Sequence, residues 1–271
     1  MKVTILAHTP NPEKLVASAA KLCYANTPPE KLFEGLTDEK ASDFVEMLAS
    51  MGHESPIEHV SFTFAIEGVS RSLLAEITRH RIASFSVQSQ RYVKKGEVSA
   101  VIPPEIEAIP EAKELFEQTM EQEWNAYNEL AALLEKKHLT VFLAEGMSEK
   151  DARFQAQKKA IEDARFVLPN ACETKMIVTM NARSLHNFFR LRCCRRAQWE
   201  IRALATQMLR QVCEIAPTLF ASAGPSCYKK GCTEGAKSCG GATEVRAQFA
   251  AIHREAEAAC HAGREGETNA R

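Results

Sequence analysis

Taken as a pattern of apolar and polar positions, the chain alternates short extended runs with longer helical periods. Met1-Lys2-Val3-Thr4-Ile5-Leu6 reads as a first strand. Asn11-Pro12-Glu13 opens a helix that runs to about Tyr24, and Pro28-Pro29 then breaks the chain. Thr37-Asp38-Glu39-Lys40 precedes the periodic positions Phe44, Met47 and Leu48, which predicts a second helix to about Met51. Gly52 to Pro56 is a polar loop, and Val60 to Ile66 alternates as a strand does. Ser70 caps a helix carrying Leu73, Leu74 and Ile77, which ends near Arg79. From Ser84 the alternation is imperfect, because Ser89 and Arg91 share parity with Phe85 and Val87. That stretch reads as an extended loop leading into a strand near Tyr92.

Residues 104–137 form a long acidic helical region with Leu115, Trp124, Leu130 and Leu134 spaced for burial. Ser148-Glu149-Lys150-Asp151 opens another helix, which ends near Val167-Leu168-Pro169. Glu173 to Met180 is rich in β-branched residues and predicts a strand, and residues 182–213 are mostly helical. From Gly224 onward the character changes. Seven of the 12 glycines and four of the nine cysteines lie there, with little apolar periodicity, which predicts an extension that is partly disordered.

Composition narrows the class. With 271 residues, 45% hydrophobic and 25% charged, the chain can build a substantial core. Its net charge of −1 argues against a general nucleic-acid binder, so local arginine clusters serve a site or pair with acids. No apolar run approaches a membrane span, and the first residues are too short a run for a signal peptide. Nine cysteines are an odd count, and no export signal is seen. Both point to a reducing cytoplasm with most thiols free.

The densest chemistry lies at Arg79-His80-Arg81-Ile82-Ala83-Ser84-Phe85-Ser86-Val87-Gln88-Ser89-Gln90-Arg91. No acid interrupts it, while hydroxyls and amides are frequent. Such a segment is equipped to hold an anion, because arginine forks match phosphate oxygens in pairs. Three further arginine-bearing segments stand out. Arg165 lies before Val167-Leu168-Pro169, where the bland reading is a base at a helix C-terminus. Asn181 follows a strand and caps the next helix, on which Arg183 and Asn187 share a face. Arg192 lies nine residues beyond Arg183, about half a turn away in phase. Either the helix breaks between the two, or they serve different ligands or subunits.

The Arg-His-Arg run followed after seven residues by Ser89 resembles the signature of the flavin-dependent thymidylate synthases, and the resemblance extends over about residues 1–220. It implies an α/β fold of the α+β type, with a central, mainly antiparallel sheet flanked by long helices (the ThyX-like fold). It implies one catalytic domain at 1–222 and a Gly/Cys-containing polar extension at 223–271. The implied reaction is reductive methylation of dUMP to dTMP, a methyltransferase activity. FAD is the cofactor, 5,10-methylenetetrahydrofolate the carbon donor and NADPH the reductant. The implied assembly is a cytoplasmic homotetramer with sites shared between subunits, without nucleic acid or membrane as partner.

The resemblance assigns roles by position. Ser55, Arg79, His80, Arg81, Val87, Asn181, Ala182, Arg183 and Asn187 match flavin positions. Glu76, Ile77, Thr78, Arg79, Val87, Gln88, Ser89, Gln90, Arg91, Arg165 and Arg192 match nucleotide positions. Arg192 faces the uracil and is the expected catalytic residue. Backbone amides of Gln88 to Arg91 add to the phosphate cradle. Departures from the family pattern are Glu76 for a frequent Gln, Ser86 for Asn, Val87 for an acid and Arg196 for His. Glu76 can only accept hydrogen bonds when ionised.

Other readings remain open on the residues. The chain could be a flavoenzyme acting on another uridine nucleotide, or a non-enzymatic RNA-binding protein that uses its arginine clusters. The stretch His53-Glu54-Ser55-Pro56-Ile57-Glu58-His59 lacks the i, i+4 histidine spacing of helical zinc ligands and reads as a hydrogen-bonded polar loop. Phe188, Phe189 and Trp199 read as core. Adjacent Cys193-Cys194 read as small buried hydrophobes rather than a nucleophile. Cys227-x4-Cys232-x6-Cys239 lacks paired CxxC spacing, and no metal is expected.

Overall fold

The structure is a computed structural model that describes residues 1–91 and 99–269, with side chains to residue 260. The expected strand near Tyr92 lies outside the described residues. The elements are β1 (Lys2–His8), α1 (Pro12–Leu22), α2 (Pro29–Glu34), α3 (Asp38–Met51), β2 (Ser61–Ser70), α4 (Arg71–Ile77), β3 (Ala83–Val87), α5 (Pro104–Glu107) and α6 (Pro110–Ala144). They continue with α7 (Glu149–Ala164), β4 (Glu173–Asn181), α8 (Ala182–Arg192), α9 (Trp199–Ile215), α10 (Pro217–Phe220) and α11 (Ala242–Asn269). Single 3-10 turns lie at Pro56–His59, Arg165–Val167 and Gly235–Lys237.

The strands form one sheet in the order β1-β2-β4-β3. Strands β2 and β4 run antiparallel: Ala182 N donates to Val60 O at one end and Arg71 N to Cys172 O at the other. The fold is thus the expected sheet flanked by helices. Two expectations about the sheet change. Ala83–Val87 is a strand, not a loop, because its exposed Ser84 and Ser86 alternate with half-buried Phe85 and Val87 on a strand that ends the sheet. Strand β2 extends past Ile66 to Ser70, whose hydroxyl accepts from Leu73 N at 3.0 Å and starts α4.

The chain divides into two compact units. The first comprises 1–66, 76–85 and 177–271, and the second 67–75 and 86–176. In the first unit, Phe62, Phe188, Phe189 and Phe220 meet ring to ring in the core. Helix α1 packs on α3, whose cap Thr37 accepts from Lys40 N at 3.3 Å. Glu13 is buried and accepts from Thr218 N at 2.7 Å and Leu219 N at 3.1 Å. The carboxylate thereby satisfies the start of α10. Gln211 on α9 reaches β1, donating from Nε2 to Val3 O and accepting from Ile5 N through Oε1, each at 3.0 Å.

The described part of the extension packs against the rest of the first unit. Val245, Phe249, Ile252 and Ala256 recur at helical spacing and are buried, and α11 packs on α9. Arg210 meets Glu255 at 3.1 Å, and His253 bonds Ala223 O at 2.8 Å. These residues give the described part of the tail an apolar period that the sequence reading did not find, and they add to the core of the first unit.

In the second unit, α6 and α7 form a helical pair around Tyr127, Ala131 and Ile161. Ser148 caps α7 as expected, accepting from Asp151 N at 3.2 Å. Trp124 is buried, but Leu115 is 65% exposed and Leu130 37%. The apolar stripe of α6 is therefore narrower than its leucines suggested.

Candidate active site

Helix α8 carries two candidate sites at opposite ends. Asn181 caps its start, accepting from Ser184 N at 2.8 Å through Oδ1. The helix continues unbroken to Arg192 and stops there, so the helix break that would have put Arg183 and Arg192 on one side is absent. The two arginines keep their opposed phases.

At the far end, Arg192 donates from Nε to His80 Nε2 at 2.8 Å and from Nη1 to Glu76 Oε2 at 3.1 Å. Helix α4 and the turn after it supply both partners. His80 is buried, edge-on to Phe188 with ring centroids 4.9 Å apart. Burial, then the charges of Arg192 and Arg79, push its imidazole down to about 4. The ring is therefore neutral at neutral pH, and because Nε2 accepts from Arg192 the proton sits on Nδ1. Glu76 balances the guanidinium charge. Among the described residues, Nη2 of Arg192 keeps its hydrogens for a ligand.

At the near end, a cavity of about 780 Å³ opens in the first unit. Arg81, Asn181, Arg183, Asn187 and Arg190 line it, with Lys229 and Lys230 from beyond α10. Arg183 donates to Glu54 at 3.2 Å and pairs with Glu58. Those carboxylates hold its guanidinium above its ordinary range, Glu58 most. Arg190 donates to Asn187 Oδ1 at 2.9 Å. The lining is a cationic, amide-bearing surface suited to a large anionic ligand.

The second unit holds a separate cluster. Arg91 Nε pairs with Glu162 at 2.8 Å, and Arg165 Nε donates to Glu162 O at 3.0 Å. Arg71 donates from Nη2 to Gln88 O at 2.8 Å, while its Nε is buried with no partner among the described residues. Burial pushes Arg71 down, and neighbouring Arg165 adds to that. Several guanidiniums drawn together in this way suit a phosphate.

The family model described as thymidylate synthase complementing protein matches residues 4–218. A flavin-dependent thymidylate synthase of Clostridium tetani is 56% identical over 246 residues, covering 91% of this chain and 96% of that protein. One from Geobacter sulfurreducens is 47% identical over 251 residues, covering 92% and 98%. The chain belongs to the flavin-dependent thymidylate synthase family. The crystal structure of flavin-dependent thymidylate synthase ThyX from Helicobacter pylori, complexed with FAD and dUMP, matches with a TM-score of 0.55. Its identity is 24%, and the match covers 83% of this chain and all of that one; this likeness shows the fold.

Against the positions that the flavin-dependent thymidylate synthases suggest, the structure sorts the side chains. Arg81, Asn181, Arg183 and Asn187 share the cavity. His80 turns inward and accepts from Arg192. Ile77 and Ala182 are fully buried, so their side chains face the core. The N–H of Ala182 is already given to Val60 O at 2.8 Å. Ser55, Thr78 and Arg79 are exposed, and Val87 to Gln90 are half-buried. Of the amides expected in a phosphate cradle, Gln88 N is taken by Lys175 O at 3.0 Å and Arg91 N by Ser89 Oγ at 3.0 Å. Of that stretch, the amides of Ser89 and Gln90 and the side chains of Ser89, Arg91 and Arg165 are the donors that could still meet an anion.

Sequence reasoning missed Arg71, Glu162, Arg190, Lys229 and Lys230. It also read Glu54 and Glu58 as a self-contained loop, although both reach Arg183. Their only sequence signal is charge. Cys193 is buried, and burial pushes its thiol up, which holds it protonated and inert. Among the described residues no helix is long and apolar enough to cross a membrane.

Proposed function

We propose that this chain converts dUMP to dTMP by reductive methylation, with FAD as cofactor, 5,10-methylenetetrahydrofolate as carbon donor and NADPH as reductant. The observation that carries the reading is the array of Arg192 with neutral His80 and Glu76, in the same unit as a cationic, amide-lined cavity. Membership of the flavin-dependent family supports it.

Arg192 acts on the pyrimidine edge. Its remaining donors stabilise negative charge on the uracil carbonyls and N3, which makes C5 electron-rich. His80 stays uncharged and fixes the guanidinium plane, while Glu76 keeps the array from holding a full positive charge. Ser89, Arg91 and Arg165 bind the 5′-phosphate. Arg81, Asn181, Arg183 and Asn187 would hold the flavin, and the cations of the cavity suit an anionic cofactor. The bound flavin supplies the hydride that completes the methyl group. The cavity volume lies within the range of cofactor sites. The partners are dUMP, folate and NADPH, and not nucleic acid. The chain works in the cytoplasm as a homotetramer whose sites draw on more than one subunit, because Arg183 and Arg192 point away from each other on one helix.

The test is to assay the purified, flavin-loaded protein with dUMP, methylenetetrahydrofolate and NADPH, reading dTMP by chromatography. dTMP that requires all three supports the reading, and its absence overturns it. For the assembly, co-refolding of Arg79→Ala with Arg192→Ala should restore part of the activity. No recovery despite proven subunit mixing would place each site within one chain.

A further inference from the structure

The cavity at the start of α8 has a second lining, which lies past residue 218, where the family match ends. Ser222, Ser226, Lys229, Lys230 and Thr233 supply its polar groups. The sequence shapes this segment locally. Gly224 has a φ of +146°, and a Cβ there would stand 3.1 Å from Phe249 Cδ1, so glycine lets the chain turn tightly against α11. In the turn that follows, Tyr228 N donates to Pro225 O at 2.8 Å and Lys230 N to Ser226 O at 3.2 Å. The Tyr228 ring stacks on His253 with centroids 5.1 Å apart, and Arg246 Nε donates to Cys227 O at 2.9 Å. Helix α11 thus fixes the backbone from which both lysines rise.

Five cations and two carboxylates line the cavity. Both carboxylates, Glu54 and Glu58, are held by Arg183. Of the cations that remain, Arg81 and Arg190 belong to the family-matched lining, and Lys229 and Lys230 belong to the second one. Among the described residues neither lysine pairs with an acid. Lys229 Nζ lies over the Tyr228 ring, 4.9 Å from its centroid. A cleft lined by one sign of charge concentrates ions of the other sign. We propose that the segment Ser222–Thr233 is a phosphate-binding wall, in which Lys229 and Lys230, with the Ser226 hydroxyl, take a phosphate group of a dinucleotide. The proposal rests on the reading of this cavity as a cofactor site. Ser226 Oγ accepts from Thr233 Oγ1 at 3.3 Å, which leaves its own hydrogen for the same anion.

The two linings have complementary donors. Arginine forks grip phosphate oxygens in pairs, and ammonium groups on flexible stems meet phosphate as point charges. A ligand without phosphate gains nothing from the second lining. A dinucleotide, with charge midway along its length, can meet cations of both. FAD and NADPH, the two dinucleotides of the proposed reaction, share this chemistry. The wall stands at the start of α8, and Arg192 ends that 11-residue helix. The lysines therefore act on retention of a cofactor and not on turnover at saturation.

The test uses the full, flavin-loaded chain. FAD release on dilution is read from the rise in flavin fluorescence, and KM for NADPH from dTMP formation at saturating FAD. The double variant Lys229→Ala with Lys230→Ala should weaken FAD binding, or raise KM for NADPH with kcat retained, by roughly tenfold or more, the loss expected of charge-assisted contacts. An effect on FAD assigns the wall to the flavin diphosphate, and an effect confined to NADPH assigns it to the reductant. Riboflavin, which has no phosphate, should bind parent and variant alike. Lys229→Arg with Lys230→Arg should restore affinity, and the alanine variant should lose part of the salt dependence of release. Lys237→Ala, outside the cavity lining, should change nothing. Unchanged FAD release together with unchanged KM for NADPH in the alanine variant overturns the proposal. So does an equal loss of riboflavin affinity, which would mark an altered cavity rather than a lost phosphate contact. A parent protein that forms no dTMP overturns the reading of the reaction alone, and FAD release then decides this proposal by itself.

Discussion

Arg183 and Arg192 are the same residue on the same helix, and their surroundings give them different work. Arg183 is 51% exposed and sits between two carboxylates, Glu54 and Glu58. The trio carries a net negative charge, and solvent screens it. Arg192 is 23% exposed and sits between one carboxylate and a neutral imidazole. That trio is neutral overall, preorganised and poorly screened. A ligand at Arg183 must displace existing partners, so Arg183 serves recognition. A ligand at Arg192 meets donors already aimed and held, which is the condition for stabilising charge that develops during reaction.

The sharpest break of this contrast is Arg192→Ala. It should lower dTMP turnover by about 10²–10³-fold while flavin absorbance of the purified protein is retained. Arg192→Lys should not rescue it, because one ammonium cannot bridge His80 and Glu76 as a planar fork does. Normal turnover in either variant would remove Arg192 from the chemistry.

Arg183→Ala should act on binding instead. Loss of a charge-assisted contact predicts a flavin Kd weakened by roughly tenfold or more, measured by fluorescence titration, with kcat at saturating flavin nearly preserved. A fall in kcat with unchanged Kd would reverse the roles of the two ends.

Acid should act on the Arg192 array through His80. The folded pKa of His80, about 4, lies below its ordinary 6.5, so as pH falls the unfolded chain takes the proton first. The stabilisation is whole above pH 6.5, declines through that window and is gone below about 4. Buried His186 and His253 shift in the same direction. The thermal midpoint should therefore fall between pH 6.5 and 4, and His80→Gln should flatten the slope. An unchanged slope would show that the imidazole is not held neutral by the fold.

The smallest effect belongs to Glu54→Gln. Exposed ion pairs contribute about 0–1 kcal/mol, so urea midpoints should barely move while flavin affinity rises as Arg183 is released. A loss of more than that from this variant would mean that the pair is structural.

Legibility in the sequence followed the range of the cause. Helix starts were readable because Thr37, Ser148 and Asn181 sit three residues from the N–H each accepts. Strand β3 was not, because its alternation is shallow and its pairing with β4 is remote. The tail misled because Gly224 to Gly241 hides the later stripe of Val245, Phe249 and Ile252, diluted among alanines. At the site, the Arg-His-Arg run announced an anion but could not say that His80 turns inward. The partners of Arg183 and Arg192 come from segments more than a hundred residues away.

The glutamine that α9 sets against β1 bears on how copies of this chain can associate. Strand β1 is an edge of the sheet, and such edges are templates for another chain's strand. Gln211 occupies Val3 O and Ile5 N with one side-chain amide, imitating the donor and acceptor of a neighbouring strand. An incoming strand would have to evict it, at the cost of two satisfied bonds. Growth of the sheet from one copy into the next is thereby discouraged at β1, so any assembly of copies would have to use other faces.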